Sequence, residues 1–378
     1  MIQWRRGVVD EVRSRWAGAI EYAVRVPSGD LVRAIGYVDT VGALDTGTDV
    51  LLNTTALERG LGTGGLAIVV AAPDALPDPV DDVRRVPGHV VKARYTPSQT
   101  MVLGVDEQDS EHHATLADAD DLTGLPVVVA DLHSALPAIL AGIRETDQTL
   151  RVAYVMTDGG ALPIDFSRTV AGLRDAGWLA ASVTVGQAFG GDLEAVNVHT
   201  GLLAAHHVVG ADVVVVAQGP GNLGTGTRWG FSGTSAGEAV NAAGTLGGQP
   251  VCSLRISQAD PRERHLGVSH HSLTAYGRVS LVPADVPVPR LDGDLADIGA
   301  RVLAQARELC DSSGGRLRLH EVGCDGLEPA LRKTPVPLRT MGRGYDDDRA
   351  GFLGAAVAGR FAAELVSPTS RHPGRRRR

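Results

Sequence analysis

The sequence predicts an α/β protein: a mostly parallel sheet with helices on both faces, preceded by a small N-terminal β-barrel module. Three observations predict it. Residues 6–71 hold five short apolar runs separated by turn signals, with no helical period. A Pro/Asp-rich stretch follows. Beyond it, continuous Val-rich runs alternate with helical patterns, as strands buried on both faces do. A length of 378 residues also exceeds what one core usually serves, so two domains are expected. The expected division is a module at 1–72, a linker at 73–88, an α/β domain at 89–366 and a disordered basic tail at 367–378.

The front module is read as strands at 7–12, 20–26, 31–38, 49–54 and 66–71. Ser28-Gly29-Asp30 and Asp45-Thr46-Gly47 supply turns between them. Five short strands suit a closed barrel of SH3-like or OB-like size. Such barrels can stack nucleic-acid bases on aromatic rings. Here only Trp4, Trp16, Tyr22 and Tyr37 are available and no basic stripe accompanies them, so the module reads as structural or as a partner surface. The linker carries Pro73, Pro77 and Pro79 among Asp74, Asp78, Asp81 and Asp82, which neither a central strand nor a packed helix accommodates.

After a hairpin near 90–105, strands are expected at 127–130, 152–156, 180–185, 212–217, 250–256 and 279–282. Helices are expected at 134–145, 167–176, 192–208, 235–245, 295–309 and 348–365. Hydrophobic residues make up 43% but aromatics only 4%, so Val, Leu, Ile and Ala must build the core.

Composition excludes several function classes. The net charge of −8 opposes general binding to phosphate backbones. The run from Arg371 to Arg378 reads as a solvated tail. Cys252, Cys310 and Cys324 are odd in number, widely spaced and without a CxxC, which argues against a disulfide scaffold and a structural zinc site. Met1-Ile2-Gln3-Trp4-Arg5-Arg6 has no apolar run behind its charges, and no stretch reaches the roughly 18 apolar residues of a membrane span. A cytoplasmic protein without membrane partners is expected; a homo-oligomer stays open.

Ligands of open parallel sheets bind beyond the carboxyl ends of the strands. Here those ends are unusually polar: Asp131-Leu132-His133-Ser134, Thr157-Asp158-Gly159-Gly160, the loop 186–192, the loop 218–228, and Arg255 to Asp260. Turn chemistry explains any one of them; the set points to a site. Gly219 to Gly224 satisfies G-x-G-x-x-G after a strand, but no helix opens on its third glycine and no acid ends the next strand. The loop is therefore read as an anion cradle, through Gly221, Thr225, Gly226, Thr227 and Arg228, with Arg255, Arg262 and Arg264 nearby, and not as a dinucleotide site. Asp192 is read as an N-cap, with Gly190, Gly191, Glu194 and Asn197 at the mouth of the site and Asp192, His199 and His206 on one helical line. A solvated polar face is the plainer account of that line. Ser269 should cap a short helix whose first turn holds His270 and His271. One of that pair should come within reach of Asp158, Asp131, His133 or Asp192. Asp158, His271, His270 and His133 are the acid–base candidates; no cofactor or metal is named. His112-His113 has no assigned role.

The stretches 154–163, 186–198 and 224–233, with Ser269-His270-His271 and Thr340-Met341-Gly342-Arg343-Gly344, together resemble a bacterial family known as domain of unknown function 3866. The resemblance covers nearly the whole chain up to the tail. It implies a Gram-positive, actinobacterial source and no activity. The leading expectation is a small anionic metabolite bound at the carboxyl edge of the sheet, by an acid–base or metal-assisted enzyme. The rivals are a regulatory protein that uses the pocket as sensor and the barrel as partner surface, and a nucleic-acid-linked protein acting through barrel and tail.

Overall fold

The computed structural model describes residues 1–80, 82–159 and 163–366. Asp81 of the expected linker, Gly160 of the expected site loop and the basic tail lie outside the described residues. The chain divides into two compact units: 1–87 with 95–99 and 165–171, and the remainder.

In the first unit, β1 (Trp4–Trp16), β2 (Ala19–Arg25), β3 (Leu31–Tyr37), β4 (Asp49–Asn53) and β5 (Ala67–Ala71) close a barrel in the order β1-β2-β3-β5-β4. Short helical turns α1 (Val38–Val41) and α2 (Thr55–Glu58) lie in its connections. Bulges between Val9 and Glu11 and between Val12 and Ser14 bend β1, so that it pairs with β4 at one end and β2 at the other. Inward Val9, Tyr22, Val24, Val50, Leu52 and Val69 fill the interior. Tyr22 is buried and accepts from the Leu44 N–H, and Trp16 lies under the Arg168 guanidinium. Of the four residues considered for base stacking, only Trp4 is exposed.

The second unit opens with the hairpin β6 (Val90–Lys92) and β7 (Thr100–Val102), then the turn α3 (His113–Leu116). Its sheet is formed by β8 (Pro126–Ala130), β9 (Val152–Thr157), β10 (Ala181–Thr184), β11 (Leu193–Glu194), β12 (Val213–Gln218), β13 (Gln249–Ser253), and two further strands described below. The crossover helices are α4 (Leu136–Thr146), α5 (Arg168–Asp175), α6 (Val198–His207) and α7 (Ser235–Thr245). After β13 the chain makes a two-stranded excursion, β14 (Ile256–Ser257) with β15 (Gly267–Val268), and enters α8 (His270–Thr274). Then come β16 (Ala284–Arg290), α9 (Ala296–Asp311), β17 (Leu317–Gly323), α10 (Leu327–Arg332), the pair β18 (Arg339–Thr340) and β19 (Arg343–Gly344), and α11 (Arg349–Leu365). The sheet has eight parallel strands in the order β11-β10-β9-β12-β8-β13-β16-β17. The connections that leave the neighbouring strands β8 and β12 run in opposite directions along the sheet, the arrangement that in open parallel sheets marks the ligand-binding edge beyond the carboxyl ends.

Two expectations are corrected. Residues 279–282 do not form a strand. Val279 closes a π-turn, and Val279 and Val282 pack instead onto Gly237 and Gly244 of α7. The strand is β16, which starts five residues further on, at Ala284. It contains Pro287 and Pro289, whose missing N–H groups share the side of Asp285. Asp285 makes the one bridge to β13 (with Val251), so beyond it no donor is needed there. Second, the helix expected at 192–208 begins only at Val198, capped by Asn197, whose side chain accepts from the Thr200 N–H. Asp192 is therefore not its N-cap, and the line through Asp192, His199 and His206 does not exist. The preceding residues form edge strand β11 because their acids are held there: Asp192 accepts from the Ser182 N–H and hydroxyl, each at 2.8 Å.

Candidate functional site

The excursion between β13 and α8 builds a polar cluster at the carboxyl edge. Ser257 pairs with Gly267, whose φ of +76° turns the strand back, and the 3₁₀ turn Glu263–His265 forms the tip. The returning strand delivers Ser269 against Arg255: the Ser269 N–H donates to the Arg255 carbonyl at 2.8 Å, and the Arg255 N–H donates to Ser272 Oγ at 2.9 Å. Ser269 caps α8, its hydroxyl accepting from the His271 N–H, and the same Oγ lies 2.7 Å from His265 Nδ1. Three imidazoles thus converge. One nitrogen from each of His265, His270 and His271 lies within 4.8 Å of the others. Phe231, arriving from the loop after β12, stacks face to face on His271 at 3.9 Å.

Asp131, the residue after β8, closes the bottom of the cluster. Its Oδ2 lies 3.8 Å from His271 Nδ1, and Arg255 Nη1 lies 3.2 Å from the same nitrogen. Burial pushes the Asp131 carboxyl up to about 6, against the pull of Arg255. Burial, assisted by the Arg255 charge, pushes His271 and His265 down to about 3. His270 is lowered by burial and then by Arg264. These shifts all favour the neutral imidazole, the form that ligation and base chemistry require. Several buried polar atoms at this edge have no partner among the described residues: Asp131 Oδ2, Gln218 Oε1, Asn222 Nδ2 and His270 Nε2.

His270 also faces outward, into a cleft of about 620 Å³ between the 226–228 loop, α8 and α9. Arg228, Arg264 and Arg278 line it, opposed by Glu308 alone among the charged lining residues. None of the three arginines forms an ion pair among the described residues. The loop is shaped by Gly221 and Gly226, both at positive φ, and by Thr227 Oγ1, which accepts from the Gly230 N–H at 3.1 Å; Thr225 Oγ1 lies 3.2 Å from it.

The other expected site residues lie elsewhere. Asp158, exposed at the end of β9, accepts from the Gln187 N–H, and no hydrogen bond or ion pair joins it to the histidines among the described residues. His133 is walled in: its Nδ1 meets the Tyr154 hydroxyl at 3.0 Å, and burial lowers it to about 4. Around Gly190 and Gly191 the polar atoms serve the fold. Glu194 accepts from Gly190 N–H and Thr184 Oγ1 and meets the buried Lys92 ammonium at 3.3 Å; the Gly191 N–H donates to Thr184 Oγ1; Asp192 also pairs with Arg174. His265 was not expected. Its signal was the His-x₄-His-His spacing from 265 to 271, obscured because a strand turn at Gly267 lies between.

Among the described residues, no helix is long and apolar enough to cross a membrane. The model of a family described as protein of unknown function (DUF3866) matches residues 33–359, and the chain belongs to that family. No curated protein matches it.

Proposed function

We propose that this member of the family is an enzyme that seats the phosphate or carboxylate of a small substrate among Arg228, Arg264 and Arg278 and reacts it at the histidine cluster. One observation supports this above the rest: His270 belongs both to the cluster and to the wall of the arginine-lined cleft. A cleft of about 620 Å³ suits a small metabolite. Guanidinium forks match the planar oxygens of carboxylate and phosphate. Asp131 favours an enzyme over a sensor, since a buried carboxyl displaced to about 6 beside imidazoles is costly and typical of reacting sites.

Isothermal titration with orthophosphate, citrate and NAD tests the reading. Orthophosphate or citrate should bind, and Arg264→Ala should weaken that binding on the order of 10- to 100-fold, as loss of a charged hydrogen bond does. NAD should not bind. Equal affinity in wild type and Arg264→Ala removes the cleft from consideration, and micromolar NAD binding lost on Gly221→Ala restores the dinucleotide reading.

A further inference from the structure

We propose that His265, His270 and His271 hold one divalent transition-metal ion of the zinc class. This deepens the reading above by naming what the histidines do, and its test is separable from that reading because metal uptake is measured without any anion.

The first argument is distance. Three nitrogens at about 2.1 Å from a tetrahedral zinc ion lie about 3.4 Å apart. Ligand nitrogens already within 4.8 Å of one another need only small ring rotations to reach that arrangement. The second argument is the support behind the rings. Histidine ligands are oriented by a partner on their other nitrogen. His265 Nδ1 has Ser269 Oγ at 2.7 Å, while Asp131 Oδ2, at 3.8 Å from His271 Nδ1, faces that ring but stands outside hydrogen-bond distance. The third argument is unused capacity. His270 Nε2 is buried without a partner, and Asp131, only 2% exposed, carries an unpartnered Oδ2 turned towards His271. Buried polar atoms of this kind are rare unless something unseen occupies them.

Three imidazole nitrogens, one of them from a residue that also lines the cleft, match the three-ligand pattern of a catalytic centre, not the closed four-ligand pattern of a structural one. The borderline softness of imidazole selects zinc, cobalt, nickel or copper over magnesium or calcium. Bound there, the ion can polarise an oxygen of an anion held by Arg264 and Arg278.

Two features oppose the ion. Arg255, Arg262 and Arg264 all act on these histidines, and they repel a dication. Asp131, Asp260 and the incoming anion offset them, so metal and anion should each tighten the other. Arg255 can only donate, so its 3.2 Å contact with His271 Nδ1 calls for a bare nitrogen, whereas Asp131 calls for an N–H. A metal on Nε2 selects the tautomer that Asp131 accepts.

The experiment is a Co²⁺ titration of untagged full-length protein stripped with EDTA, followed by visible absorption, with zinc content by mass spectrometry. One equivalent of Co²⁺ should bind with a ligand-field band. His270→Ala, at a partly exposed position, should weaken binding by about 100-fold or more, and Asp131→Asn by about 10- to 100-fold. Near-UV circular dichroism checks each fold. Orthophosphate should increase the Co²⁺ affinity. No saturable Co²⁺ uptake, or equal affinity in folded His270→Ala, overturns the metal. Orthophosphate binding in EDTA then still upholds the anion cleft, while Co²⁺ uptake without any anion binding leaves the metal standing and removes the cleft.

Discussion

Replacing Asp131 by Asn should make the metal-free protein more stable at neutral pH, although it weakens the site. The carboxyl is 2% exposed, and burial raises it from 3.8 to about 6 even after Arg255 has pulled it down. A carboxyl that ionises less readily in the fold than in the unfolded chain opposes folding once the pH lets the unfolded chain ionise it. Below 3.8 the full stability is present. It is lost as the pH rises through about 6, and the loss is constant above that. At about 1.4 kcal/mol per pH unit, a gap of about two units amounts to about 3 kcal/mol. Asn keeps the shape and one acceptor but never ionises, so the variant escapes this loss. Its amide donors need acceptors of their own, which trims the gain to on the order of 2 kcal/mol at pH 8. Urea unfolding in EDTA, at pH 8 and pH 4, measures it. The variant should exceed wild type at pH 8 with an unchanged m value, and the difference should close near pH 4. Equal stability at pH 8 refutes the reasoning, and so does a gain independent of pH, which shape alone would produce. Saturating Co²⁺ should narrow or reverse the order, since it stabilises wild type more.

Gly142 and Gly359 let α4 and α11 cross closely: an added Cβ would lie 1.9 Å from the Ala356 carbonyl oxygen or 2.0 Å from that of Ile139. Gly→Ala inside a helix ordinarily stabilises by about 1 kcal/mol, but overpacking here costs about 1–3 kcal/mol or more, so Gly142→Ala should lower the thermal midpoint by several degrees; a raised midpoint would show that the helices separate freely. Limited proteolysis should cut first between residues 72 and 87, where 73–80 are exposed and carry no regular element. Preferred early cleavage within 127–282 speaks against a domain boundary there.

Much of the fold could be read from the residues because its signals are local. The Val-rich runs of β8, β9 and β12 are buried on both faces, and no tertiary knowledge is needed to see that. What failed was set by neighbours. Pro287 and Pro289 hide β16, since their tolerance depends on where β13 stops pairing. Asp192 reads as a helix cap by type, but Ser182, ten residues earlier in the chain, claims it. The histidine cluster was half legible. Ser269 capping the turn that carries His270 and His271 is a local pattern, whereas His265 joins them only because β14 and β15 pair and fold the tip back.

Residue type alone therefore separates poorly the polar groups that a fold consumes from those that it leaves over. Asp192, Glu194 and Asn197 looked as functional as Asp131 and His270, and they sit at the same edge of the same sheet. The difference is in their remaining hydrogen-bonding capacity. Asp192 already meets Ser182 and Arg174; Glu194 meets Thr184, Gly190 and Lys92; Asn197 caps a helix. Asp131 Oδ2 and His270 Nε2 are buried atoms with no hydrogen-bond partner among the described residues. Leaving a buried polar atom unpaired costs about 1–3 kcal/mol, several times what an average surface choice contributes. Other buried polar atoms without a partner among the described residues, at Thr157, Ser280, Arg316 and Tyr345, stand apart from such a cluster, whereas these two lie beside three imidazoles and near three arginines that form no ion pair among the described residues. The Asp131→Asn comparison measures the part of this cost that comes from the buried charge, and the substitution that relieves the fold at pH 8 is the same one that should loosen the metal.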